Sequence, residues 1–71
     1  MLVTVFPKYG RANSKVESFG NFRYLVYLLS VQGLEADKEL ILIMSRQLGV
    51  PASRVNIKSR GSRGEVILET L

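Results

Sequence analysis

Residues 54–64 (RVNIKSRGSRG) hold four cations, Arg54, Lys58, Arg60 and Arg63, and no acid. Gly61 and Gly64 flank Ser62 and Arg63. A tight turn of this kind offers backbone N–H groups, a hydroxyl and a guanidinium to a phosphate. Arg54, Lys58, Arg60, Ser62 and Arg63 are therefore the candidate anion-binding residues. The plainer alternative is a solvated hairpin in which Arg60 pairs with Glu65. A second candidate chemistry is base stacking, because Tyr27 and Phe6 fall near Arg23, Lys58 and Arg60 if all five share a sheet face. The third is apolar contact: Leu25, Tyr27 and Leu29 read as one column of such a face, and Leu42 projects from a helix among charged neighbours. These four are the candidate interface residues.

Catalysis finds little support. The chain has no Cys and no His, so thiol nucleophiles, thiolate zinc sites and the usual general base are excluded. No glycine-rich nucleotide motif occurs. A tautomerase-like mechanism needs a free N-terminal Pro, whereas the chain starts Met1-Leu2 and Pro7 is internal. Asp37 falls inside the apolar arc of a helix, and capping of backbone N–H groups explains it better than acid–base work. No catalytic residue, metal site or cofactor is expected.

These side chains must be held by a small frame. The chain has 71 residues, 46% of them hydrophobic, which is too apolar for disorder and long enough for only one domain, 1–71. At this size only about 60% of the unfolded surface is buried. Ten Lys and Arg against six Asp and Glu give a net charge of +4, which permits an anionic partner such as nucleic acid. The longest uncharged apolar stretch, 24–34, is too short to span a bilayer, and the N-terminus does not read as a signal peptide. A cytoplasmic protein without membrane attachment is expected.

Strands are expected at 2–6, 16–19, 22–30, 54–60 and 65–70, from their β-branched and aromatic residues and their alternation. Pro7 ends the first, and Gly20-Asn21 supplies a tight turn after the second. Leu34 to Leu48 has helical periodicity, with Gly49 and Pro51 as stop signals. Closing the last hairpin pairs Arg60 with Glu65, Ser59 with Val66, Lys58 with Ile67 and Ile57 with Leu68. The expected fold is α+β in two layers: an antiparallel or mixed sheet of about four strands, with one main helix on one face. That helix is expected to cover Val3, Val5, Phe22, Tyr24, Val26, Leu28, Val55, Ile57, Val66 and Leu68. The opposite face then carries Leu2, Thr4, Phe6, Arg23, Leu25, Tyr27, Leu29, Arg54, Lys58, Arg60, Glu65 and Ile67. It is to be covered by the 8–14 loop or residues 15–19, by a second copy in a homodimer, or by another partner.

The order of elements and several local patterns resemble the YggU-like family of small uncharacterised domains. These are Val3-Thr4-Val5-Phe6-Pro7, Val31-Gln32-Gly33, Ala36-Asp37-Lys38-Glu39-Leu40-Ile41, Gln47-Leu48-Gly49-Val50-Pro51-Ala52-Ser53-Arg54-Val55-Asn56-Ile57 and Ser62-Arg63. Ser30 and Val31 stand where the family carries prolines, and Asp37 where it carries Asn. The resemblance implies a two-layer fold with strand order 1-2-4-3 and no established activity.

Overall fold

The computed structural model describes residues 1–71. Five strands and one helix follow each other: β1 (Leu2–Lys8), β2 (Lys15–Gly20), β3 (Arg23–Tyr27), α1 (Leu34–Leu48), β4 (Val55–Arg60) and β5 (Val66–Thr70), with a 3-10 turn at Ala52–Arg54. They form an α+β fold with a five-stranded mixed sheet of order β2-β3-β1-β5-β4. The order 1-2-4-3 is not observed. β1 and β3 run parallel, from Thr4 opposite Arg23 to Lys8 opposite Tyr27, and every other pair is antiparallel.

Polarity accounts for this order. β3 is apolar on both faces and takes two neighbours. β2 (KVESFG) is polar and mostly exposed, and takes the edge. Pro7 does not end β1, whose pairing with β3 continues to Lys8. Pro7 is tolerated because the partnership of β1 with β5 stops at Val5 opposite Val66, so no ladder N–H is needed beyond it.

The helix runs over the expected residues. Gly49 caps its C-terminus in the left-handed region at φ 71°, donating its N–H to the Ser45 carbonyl. Gly33 is the N-cap and no side chain caps it, so Asp37 does not play the expected capping role. Ala36, Leu40 and Met44, one turn apart, bury against Val3, Val5, Val26, Leu28, Val55, Val66 and Leu68. Phe22 is an exception to the expected covered face: it is 54% exposed. It belongs to the β2–β3 turn, centred on Asn21-Phe22 one residue after the expected Gly20-Asn21, with Gly20 opposite Arg23. Asn21 and Phe22 have φ of 52° and 57°.

β3 ends at Tyr27, three residues before the expected limit. The Leu28 N–H still reaches the Lys8 carbonyl at 2.8 Å. The next two N–H groups turn to the helix: Leu29 donates to one Glu39 carboxylate oxygen at 2.8 Å, Ser30 to the other at 3.0 Å. Burial pushes the Glu39 carboxyl up, but these two N–H groups and the Ser30 hydroxyl outweigh it, and its pKa lies below the ordinary 4.5.

β4 carries the largest departure from the expected register. Ile57 faces Leu68 as expected, but Ser59 faces Ile67 and Arg60 faces Val66, because a bulge at Lys58 adds one residue to the strand. The extra residue reverses the parity of everything after it. Val66 lies under the helix, so Arg60 also projects to the helix side.

Candidate anion-binding surface

One end of the sheet gathers most of the polar loops. β1, β3 and β4 finish there, and β2, β5 and α1 begin there. The 9–14 loop is tied down by two backbone bonds, Gly10 N–H to the Ser30 carbonyl and Arg11 N–H to the Leu28 carbonyl, both 2.9 Å. Gly10 has φ 65°, which a glycine adopts without steric penalty. So anchored, the loop delivers the Arg11 guanidinium over the Tyr27 ring, 5.3 Å from its centroid. Lys15 and Lys8 flank Tyr27 in register on the two neighbouring strands. Lys15 also contacts Glu17 at 3.0 Å; that bond and the carboxylate's charge hold its pKa above 10.5. Arg63 joins the same end, lining a recess of about 230 Å³ with Phe6, Lys8, Tyr9, Gln32 and the Glu65 carboxylate.

The face away from the helix is uncovered by any second layer. Phe6 and Leu25 sit side by side in register, and Tyr27 beside Lys8. Leu25 and Tyr27 are half-buried, and Phe6 is exposed. β2 does not fold across this face; it extends the sheet sideways. The 9–14 loop meets it at Tyr27, under the Arg11 guanidinium.

The four cations of residues 54–64 do not converge. Arg54 lies at the opposite end of the sheet, where β4 begins opposite Thr70. Lys58 is in the bulge, 4.0 Å from Glu69. Arg60, on the helix side, donates to Asp37 at 2.7 Å, so neither the expected partner Glu65 nor the expected open face is correct for it. Glu65 instead folds over Gly61, where a Cβ would overlap its carboxylate, and accepts the Arg63 N–H at 3.1 Å. Ser62 is exposed in the turn, and the Arg63 side chain makes no ion pair.

The expected apolar column also divides. Leu25 and Tyr27 share the open face, whereas Leu29 follows the peeled end of β3 to the helix. There Leu29 and Leu42, 55% and 51% exposed, line a separate recess of about 450 Å³ with Glu35, Lys38 and Glu39.

Lys8, Arg11 and Lys15 are the residues that sequence reasoning passed over. Their signal was present: three cations between positions 8 and 15, with no acid until Glu17. Lys8, Arg11, Arg23 and Arg63 have no carboxylate within ion-pair distance, whereas the partners of Lys15, Lys38, Lys58 and Arg60 are Glu17, Glu35, Glu69 and Asp37. No group of three His, Cys, Asp or Glu side chains comes together, and no helix is long and apolar enough to cross a membrane. No family model matches the chain, and no curated protein or solved structure is significantly similar to it.

Proposed function

We propose that the protein is a cytoplasmic binding module that takes single-stranded nucleic acid across its open sheet face, by binding and not by catalysis. The observation that carries this reading is the combination on one face of Phe6 and Tyr27 with Lys8, Arg11 and Arg23, none of which has a carboxylate within 4.0 Å, while the acids of that face, Glu17 and Glu69, are paired with Lys15 and Lys58. Aromatic rings on a sheet stack bases, and cations beside them meet the phosphates between those bases. Of the expected hairpin site, Arg63 alone lies at the end where these cations gather. The YggU-like resemblance remains part of the proposal and brings no activity with it.

The test is fluorescence anisotropy with a labelled single-stranded oligonucleotide at several salt concentrations. Three or four phosphate contacts predict a slope of about −2 to −3 in log K against log salt. Replacing both Lys8 and Arg11 by Gln flattens that slope by about 1.4. Absence of binding at low salt overturns the reading, as does binding insensitive to salt. Sedimentation on the same samples separates the other occupant of this face: a homodimer that persists when oligonucleotide is added has the face closed against it.

A further inference from the structure

We infer that the space between the 9–14 loop and Tyr27 is a subsite for a single nucleobase. This inference rests on the open-face reading above and names the place where that face would hold a base rather than a phosphate alone.

The space is a shallow groove of about 380 Å³, open to solvent, with the half-buried Tyr27 as its floor and exposed side chains as its walls. Six residues line it: Arg11, Ala12, Asn13, Ser14, Lys15 and Tyr27. Their chemistry is selective. There is one aromatic face, one amide and one hydroxyl, two cations, and no carboxylate. The adjacent Glu17 carboxylate is held by Lys15 at 3.0 Å, so a cationic ligand finds no free carboxylate, whereas a planar heterocycle attached to a phosphate finds a partner for each part. The Asn13 amide and the Ser14 hydroxyl make no hydrogen bond within the protein, so their donors and acceptors are free for a base edge. Lys15 stands directly opposite Tyr27 at the start of β2, and it meets a phosphate by exchanging its 3.0 Å contact with Glu17.

Arg11 now occupies the approach to the ring. Its contact is loose, at 5.3 Å, and the residue is exposed. An exposed cation–π contact is weaker than a base stacked on an aromatic ring, so the base displaces the guanidinium. The anchored Arg11 backbone keeps the side chain beside the site, where it turns to the phosphate. The same bonds that pin Gly10 and Arg11 to Ser30 and Leu28 hold the wall of the subsite in place before ligand arrives.

The experiment compares a single-stranded oligouridine with an abasic strand of the same length, on the wild type, Tyr27→Phe and Tyr27→Leu. The expected result is tighter binding of the base-bearing strand by the wild type and by Tyr27→Phe. Tyr27→Leu then loses about 5- to 150-fold on that strand and little on the abasic one. Amide NMR with uridine monophosphate gives a readout on the folded wild type, with the Asn13, Ser14 and Lys15 signals shifting most. If Tyr27→Leu keeps the wild type's preference for the base-bearing strand, or the monophosphate shifts signals elsewhere only, the subsite is wrong while the open-face reading survives; if both strands bind the wild type equally, base stacking fails on the whole face. If neither strand binds at low salt, both readings fall together.

Discussion

The β2–β3 turn supports a prediction that reverses the usual ranking of alanine and glycine. Its central pair, Asn21 and Phe22, sits at φ 52° and 57°, the left-handed geometry of a type I′ turn. Asn adopts this region readily, whereas a bulky residue does so only against a Cβ–carbonyl clash of about 1–2 kcal/mol. Phe22→Ala and Phe22→Gly lose the same ring contacts, which are modest because the residue is 54% exposed. The comparison between them therefore isolates the Cβ. Glycine removes the clash but adds about 0.4–1 kcal/mol of unfolded-state freedom. The difference leaves Phe22→Gly more stable than Phe22→Ala by about 0.8 kcal/mol. For a domain of this size that is a melting temperature higher by roughly 3–6 °C. Thermal unfolding followed by circular dichroism, with urea melts to confirm an unchanged m-value, measures it. Equal stability of the two variants, or a more stable Phe22→Ala, refutes the left-handed assignment of the turn.

Glu39 gives a pH prediction. Its carboxyl is lowered in the folded state, so its contribution is complete above the unfolded value near 4.5 and is lost as pH falls through the folded one. Glu39→Gln keeps the shape without the charge, so urea melts show a stability gap from the wild type at pH 7 that narrows below about pH 4.5. The Asp37–Arg60 contact at 2.7 Å is partly exposed, and a double-mutant cycle with Asp37→Asn and Arg60→Gln gives a coupling of about 0.5 kcal/mol. Zero coupling in that cycle refutes a contribution of this contact to stability.

The helix was legible because each of its signals acts within a few residues. Ala36, Leu40 and Met44 recur one turn apart, and Gly49 tolerates the φ of 71° that ends the helix. The faces of the central strands were legible for the same reason: alternation places Val3, Val5 and Val26 on one side and Phe6 and Leu25 on the other. Strand neighbours were not. Alternation says which way a side chain points and nothing about which strand lies beside it, so the parallel pairing of β1 with β3 had no local signature. The end of β3 was hidden for a related reason. Leu28 and Leu29 continue its apolar run, but two N–H groups find Glu39, ten and nine residues further on.

The side chains of the cationic stretch do not converge, for a reason that lies in the backbone. One inserted residue at Lys58 sends Arg60 to the helix, where Asp37 meets it. Before the bulge and after it, the same alternation means opposite faces. The bulge and the charges also answer a problem that β4 has as an edge strand. Its outer N–H and C=O groups have no partner, and an unbroken edge invites pairing with another chain. A bulge twists that edge, and Arg54, Lys58 and Arg60 make a like-charged approach repulsive. Their density in sequence is thus accounted for without a ligand. That need does not extend to Arg11, because the 9–14 loop has no edge to protect, whereas Lys8 lies where β1 is paired with β3 alone. An unpaired cation that the fold does not require, set over an aromatic ring on an uncovered face, is what the proposed site rests on.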